Sequence, residues 1–296
     1  MSFSDPEART MQTFIYQRPK TLGEALDLHA TDGREARPLA GGTDLIIRLR
    51  DGTARPAIVV DLKRIPELRP AIREASDQLT ISATTVMTDI AADERVRRHF
   101  VALAEAATVV GSVQIRNRAT LGGNICNASP AADTATPLLI HDAVIVVVGQ
   151  DGIRRIPITD FFVRSGKTTL RQGDLVVSIE LPVPRRRTGS VHLRRTRRRG
   201  HDLASVTLSC LVDDMGVTRI AYGSVGPRPI LVEDGSGVLA DPGATDDAKA
   251  AVLDEMFSAA TPSPRSMRAS PEYRLAMLSV LGRRALAIAL DRLAQR

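Results

Sequence analysis

The order of apolar and polar positions divides the chain into short strands and helices, set apart by turns rich in glycine and proline. Residues 14–19 alternate weakly and predict an edge strand or an extended arm. Thr21-Leu22-Gly23-Glu24 has capping-box spacing, which satisfies the first free amides of a helix and predicts one running to about Ala30. Residues 37–40 read as a strand entering Gly41-Gly42. Residues 45–50 read as a helix or turn that Asp51-Gly52 stops. Residues 57–62 are β-branched and short, as a buried strand is, and 79–83 alternate before a helix from about Thr88. The small apolar run 101–110 suits a buried helix. Strands are expected at 143–148, 153–158 and 174–181.

Downstream of Pro182-Val183-Pro184 the texture changes, and this proline pair marks the expected domain boundary. Residues 191–197, 204–212 and 217–224 predict three strands. The last two are joined by Asp213-Asp214-Met215-Gly216, a hairpin turn with Gly at the position needing positive φ. Helices are expected at 246–260 and 271–293, the second with Leu275, Leu278, Leu281, Ala285 and Ile288 along one face. The C-terminal part is therefore α+β, three antiparallel strands backed by helices.

A length of 296 residues agrees with two domains, and 43 % apolar with 25 % charged residues is ordinary for a globular chain. The first thirteen residues read as a loose lead rather than a signal peptide, and no apolar run is long enough for a membrane span. Cys126 and Cys210 are the only cysteines, which excludes a cysteine-ligated iron–sulfur cluster on this chain and fits a reducing cytoplasm. Aromatics make up 3 %, with no Trp, so a flat cofactor ring would rest on aliphatic side chains. The net charge of +6 is local: eight arginines fall within residues 185–199. Without an aromatic platform this run reads as a solvated surface or a protein-docking face, or as a source of cations for bound phosphates, rather than as a nucleic-acid site.

The stretch Thr120-Leu121-Gly122-Gly123-Asn124, followed by Ser129-Pro130 and Asp133, joins a glycine turn to what reads as a helix start. Ser129 has the character of an N-cap, Pro130 that of a first helical residue, and Asp133 falls in the first turns. Glycines admit close approach, and amides at such a turn attract an anion. Thr120 and Asn124 suit phosphate oxygens, and Asp133 suits a sugar hydroxyl. Leu39-Ala40-Gly41-Gly42-Thr43-Asp44-Leu45 echoes this arrangement, and two such loops point to one dinucleotide gripped from both sides. The Rossmann and P-loop patterns are absent, as are a nucleophile elbow and metal-ligand histidine spacings. Cys126 is open to two readings, a reactive thiol or a small packing residue.

RPLAGGTDLIIRLRDG (37–52) and GSVQIRNRATLGGNICNASPAADTATPLL (111–139) closely resemble the FAD-binding medium subunit of the molybdenum hydroxylases, the xanthine dehydrogenase and aerobic carbon monoxide dehydrogenase type. DLVVSIELP (174–182), RRTRRRGHDLASV (194–206) and MRASPEYRLAMLSVLGRRAL (267–286) extend the resemblance over nearly the whole chain. It implies an FAD-binding domain over 14–184, made of two α/β subdomains (14–66 and 67–184) that hold the cofactor between them. A smaller domain with the three-stranded antiparallel sheet would follow at 185–296. Leu39, Ala40, Gly41, Gly42, Thr43, Asp44 and Leu45 match the family's first pyrophosphate loop. Thr120, Gly122, Gly123 and Asn124 match the second. Asp133 matches an acidic residue near the cofactor's hydroxyls, and Val176 an apolar position near the adenine. Arg194 falls where relatives carry a lysine, and Leu203 where a residue lies beside the isoalloxazine. Thr43-Asp44 departs from the histidine and serine typical of carbon monoxide dehydrogenase, which argues against that substrate.

By this resemblance the chain is the FAD-carrying electron-transfer subunit of a cytoplasmic complex, a dimer of heterotrimers. A large partner would hold the molybdenum cofactor, and a small partner would hold 2Fe–2S clusters. Electrons would leave this chain for NAD⁺, a quinone, a carrier protein or O₂, and the chain would need no catalytic residue of its own for hydroxylation. The rival readings are a stand-alone FAD oxidoreductase, which would need its own base near the flavin, and a basic interaction module built on the arginine run.

Overall fold

The computed structural model describes residues 11–30, 35–198, 200 and 202–296; most of the expected N-terminal lead, and Arg199 of the arginine run, lie outside them. Strands β1 (Ile15–Gln17), β2 (Ala36–Leu39) and β3 (Ile58–Asp61) form a parallel sheet in the order β1-β3-β2. All four residues of β3, Ile-Val-Val-Asp, are buried, as expected of a central parallel strand covered on both faces. Helix Leu22–Ala30 begins as its sequence predicts. The Thr21 hydroxyl accepts from the Glu24 amide, and the Glu24 carboxylate accepts from the Lys20 amide.

Next come β4 (Ile72–Ala75), β5 (Gln78–Ser82), β6 (Val144–Gly149), β7 (Gly152–Pro157), a small ribbon of β8 (Phe162–Arg164) and β9 (Lys167–Thr168), and β10 (Leu175–Pro182). Strands β4-β5-β10-β6-β7 make a five-stranded antiparallel sheet with β10 at its centre. A bulge between Val176 and Ser178 re-aims Val176 within that strand. Helix Val101–Val109 is buried along Ala102, Leu103, Ala104, Ala106 and Ala107, as its small apolar composition predicts. β4 escapes a pattern-based reading because Arg73 and Glu74 occupy its middle on a partly exposed edge.

The region 120–140 differs from expectation. Its helix is Leu121–Cys126, with Thr120 as N-cap, and the next is Ala135–Ile140. Ser129 forms only a local turn, its hydroxyl accepting from the Ala131 amide, so no helix starts at Pro130. Asp133 precedes a helix rather than lying within one. Pro137 sits in the first turn of Ala135–Ile140, where its missing N–H costs nothing, so it neither kinks nor restarts that helix.

Strands β11 (Thr188–Arg195), β12 (Val206–Asp213), β13 (Thr218–Gly223) and β14 (Ile230–Asp234) form the C-terminal antiparallel sheet in sequential order. It has one strand more than the three expected. β14 is a short edge strand that follows Pro227 and Pro229 and has only three apolar residues, too few to stand out in the pattern. Period-2 alternation sorts its two faces. Val191, Val206, Leu208, Cys210, Val212, Ile220 and Tyr222 pack against the helices Asp246–Met256 and Pro271–Ala294. The opposite face carries His192, Ser209, Leu211 and Ala221 towards the N-terminal unit, where Leu211 and Ala221 join its core. In the long helix Leu278, Leu281, Ala285 and Ala289 are buried, whereas Leu275 is 40 % exposed and outside the packed stripe. Gly189 lies so close to this helix that a Cβ would overlap the Ala289 carbonyl.

Candidate functional site

A cleft of about 1270 Å³ opens between the parallel sheet, the antiparallel sheet and the edge of the C-terminal sheet. Every residue matched to the family's cofactor site lines it: the run Leu39, Ala40, Gly41, Gly42, Thr43, Asp44 and Leu45, then Thr120, Gly122, Gly123 and Asn124, and finally Asp133, Val176, Arg194 and Leu203.

The first loop leaves β2 at Leu39 and enters helix Leu45–Arg50. Gly42 has φ +77, a left-handed conformation that glycine adopts without strain. Gly41 lies against the backbone just before the second loop, where a Cβ would overlap the Arg118 carbonyl. Among the described residues, the backbone N–H groups of Gly41, Gly42 and Thr43 have no protein acceptor. Three adjacent free donors at a cleft wall make a cradle for an anion.

The second loop uses its glycines differently. The Leu121 amide donates to the Thr85 carbonyl at 3.0 Å, and the Gly122 amide to the Ala83 carbonyl at 2.8 Å. The Gly123 amide donates to the Thr120 hydroxyl at 3.1 Å, and the Asn124 amide to the Thr120 carbonyl at 2.9 Å. The expectation that Gly122 and Gly123 lend free amides therefore does not match the geometry: these amides bond within the protein, whereas the Thr120 hydroxyl only accepts and keeps its own proton to donate. Gly122 is small because β5 ends against it; a Cβ there would come within 2.7 Å of the Ala83 Cβ and carbonyl oxygen. The Asn124 side-chain oxygen accepts from the Thr134 hydroxyl at 2.6 Å.

Two residues that the sequence did not single out lace the loops together. The Asn127 amide nitrogen donates to Asp44 Oδ1 at 3.2 Å, and Arg48 donates to Asn127 Oδ1. Asp44 therefore faces the opposite loop. The only sequence signal for Asn127 is its place one residue past the helix Leu121–Cys126.

Asp133 is 7 % exposed, and its Oδ2 accepts from Arg194 Nη1 at 2.8 Å. The acid and the base assigned separately to the cofactor are thus paired with each other. Val176 is a buried wall residue, and Leu203 stands 47 % exposed at the rim. The Leu203 loop is held by Asp202, whose carboxylate accepts from the amides of Arg197, Arg198 and Leu203. His29 lines the far end of the cleft, where burial and the neighbouring Arg37 charge push its pKa below the ordinary value. Cys126 lies on the cleft wall and Cys210 in the buried C-terminal core, and desolvation pushes the pKa of both thiols up to about 12.

The arginine run is anchored along its length: Arg185 pairs with Asp77, Arg187 with Asp214, Arg194 with Asp133, and both Arg197 and Arg198 with Asp202. Arg195 donates to the Tyr273 hydroxyl. These acids neutralise much of what the sequence presents as a basic patch. Among the described residues no cluster of His, Cys, Asp or Glu is arranged to hold a metal ion, and no helix is long and apolar enough to cross a membrane.

The cleft has the chemistry that FAD requires: free backbone donors for a pyrophosphate, aliphatic walls, and the buried Asp133 carboxylate on the cleft wall to accept from a hydroxyl. Residues 9–184 match the family described as FAD binding domain in molybdopterin dehydrogenase, and 192–289 match the CO dehydrogenase flavoprotein C-terminal domain. The putative xanthine dehydrogenase FAD-binding subunit of Escherichia coli K12 is 32 % identical over 276 residues, 92 % of this chain and 94 % of that protein. The carbon monoxide dehydrogenase medium chain of Hydrogenophaga pseudoflava is 32 % identical, covering 92 % of this chain and 96 % of its own. The solved carbon monoxide dehydrogenase of H. pseudoflava lacking the Mo-pyranopterin moiety superposes with a TM-score of 0.86 at 30 % identity, over 95 % of this chain and 98 % of that one. Quinoline 2-oxidoreductase from Pseudomonas putida 86 superposes at 0.84 with 25 % identity, over 95 % and 98 % of the two chains. With the expected motifs lining one cleft and both family models spanning the fold, the chain belongs to the FAD-binding medium subunits of the molybdenum hydroxylases, a family of oxidoreductases.

Proposed function

We propose that this chain is the electron-transfer subunit of a multi-subunit molybdenum hydroxylase. It would accept electrons from the 2Fe–2S clusters of a small partner and release them to an external acceptor. A large partner would carry the molybdenum cofactor and perform the hydroxylation, in a dimer of heterotrimers within the reducing cytoplasm. When bound, FAD supplies the redox chemistry that links one-electron iron–sulfur donors to the acceptor, be it NAD⁺, a quinone, a carrier protein or O₂. The protein binds, orients and shields it.

The observation that carries this reading is the convergence of both glycine loops, Asp133, Val176, Arg194 and Leu203 on one cleft. The amides of Gly41, Gly42 and Thr43 would receive the pyrophosphate. The second loop would contribute a close-packed wall at Gly122 and Gly123, with Thr120 and Asn124 fixing its shape. Asp133 would accept a cofactor hydroxyl while Arg194 holds it in place. Val176 would cover the adenine side, and Leu203 would lie against the isoalloxazine. Leu39, Ala40 and Leu45 flank the cradle, and Asp44 ties it to Asn127.

Purified protein supplied with FAD should take up about one equivalent, read as a flavin absorption spectrum and a raised melting temperature. It should also co-purify with a molybdenum subunit and a 2Fe–2S subunit when the three are expressed together. Protein that binds no FAD sinks the reading. Full turnover of an organic substrate by the isolated chain would favour the stand-alone flavoenzyme instead.

A further inference from the structure

Behind the cleft wall lies a buried polar cluster that the cofactor reading leaves unused. His192 and Arg194, two residues apart on β11, point to the same face of the C-terminal sheet. Arg194 reaches Asp133 Oδ2 from the cleft side. His192 approaches the same carboxylate from behind, with Nε2 3.5 Å from Oδ1; the two side chains are 2 % and 9 % exposed. Asp133 Oδ1 and His192 Nε2 are both buried and neither makes a hydrogen bond in this structure; their 3.5 Å approach is an ion-pair distance.

Neighbouring hydroxyls surround the other ring nitrogen of His192. His192 lies opposite Ser209 of β12, and its Nδ1 is 3.0 Å from the Ser209 hydroxyl. That hydroxyl is in turn 2.9 Å from the Thr136 hydroxyl. An ionised carboxylate only accepts, so a hydrogen bond to Asp133 Oδ1 requires an N–H at His192 Nε2. The Thr136 hydroxyl also lies 3.4 Å from the Asp133 carbonyl, to which it can donate. When Ser209 donates to Nδ1, the proton of a neutral ring stands on Nε2, on the side of Asp133. The strand is also fixed from outside. The Glu105 carboxylate accepts from the His192 amide at 2.9 Å and pairs with Arg292, which donates to the Ser190 carbonyl.

We propose that His192 is a positioning residue for the cofactor: it never lines the cleft, but holds the inner oxygen of Asp133 so that the carboxylate is presented at a fixed angle. This rests on FAD occupying the cleft. A carboxylate held by Arg194 alone can rotate about its Cβ–Cγ bond; one held at both oxygens cannot. The C-terminal sheet thereby sets the geometry of a residue that belongs to the N-terminal unit.

The test is a double-mutant cycle on the full chain, read as the FAD dissociation constant from flavin fluorescence. Loss of one donor to a charged acceptor predicts that His192→Leu weakens FAD about tenfold. In an Asp133→Ala background the same change should have almost no further effect, because the contact it would remove is already gone. His192→Gln, which keeps an N–H near the Nε2 position, should recover most of the loss. Should His192→Leu not fold, Ser209→Ala replaces it in the cycle. That change frees the proton to move to Nδ1 and predicts a smaller weakening, about threefold. Additive losses in the cycle, or a His192→Leu variant that binds FAD as wild type does, overturn the positioning role while leaving FAD in the cleft. Failure of the wild-type chain to bind FAD overturns both.

Discussion

The two glycine loops look alike in sequence and work differently in structure. Gly41-Gly42 leaves a row of backbone donors unused, so it is built to receive something. Gly122-Gly123 spends its amides on Ala83 and Thr120, so it is built to be approached closely. Gly42 is left-handed, whereas Gly123 lies in a helix. A shared dipeptide thus does not imply a shared role. Which hydrogen bonds are already taken distinguishes a binding loop from a packing loop.

The sharpest way to test this contrast is at Gly41. A Cβ there strikes the Arg118 carbonyl, and backbone atoms cannot step aside as a side chain can. Gly41→Ala should cost about 3 kcal/mol or more by the measure of severe overpacking, seen in urea denaturation, with no flavin retained. Gly122→Ala meets the Ala83 Cβ and carbonyl at 2.7 Å and should cost about 1–3 kcal/mol. Its flavin loss should follow its stability loss, since no ligand-directed donor is removed.

Gly42→Ala forces a side chain into left-handed backbone at about 1–2 kcal/mol. Because it tilts the free donors, its FAD dissociation constant should rise by more than the stability loss accounts for. Thr120→Val removes the cap on Gly123 and should lower stability by about 1 kcal/mol, with FAD affinity changed no further than that. A variant that melts like wild type yet loses FAD a hundredfold would reverse the assignment of the two loops. The smallest effect belongs to Asn127→Ala, which unlaces Asp44 and Arg48. Half-exposed contacts of this kind contribute about 1 kcal/mol or less, and the change should appear mainly as faster FAD dissociation in stopped flow.

Much of this was legible in the chain. Buried β3, the alternating C-terminal strands, the long helix and both loops stand out by period and punctuation. The misreading at Ser129-Pro130 has a physical cause. That pair has the local chemistry of a helix start, while the true helix contains two glycines that propensity disfavours. Leu121–Cys126 is held instead by tertiary bonds to Thr85 and Ala83, which no local signal reports. The same applies to Asn127, Arg48 and His192. Each acts through a partner tens of residues away, and an isolated Asn or His carries no mark of such a contact. β14 went unseen because three apolar residues on an edge are too short a pattern.

The placement of Arg194 and His192 on β11 has a consequence for how the protein is made. A nascent chain that has emerged only as far as β10 already displays both glycine loops, yet it has no arginine for Asp133 and no Leu203 at the rim. The cleft is completed by β11 and the loop after it, in a sheet whose later strands pack on the helix Ala135–Ile140. A complete cleft thus needs translation to pass Leu203, well beyond the domain that carries both glycine loops.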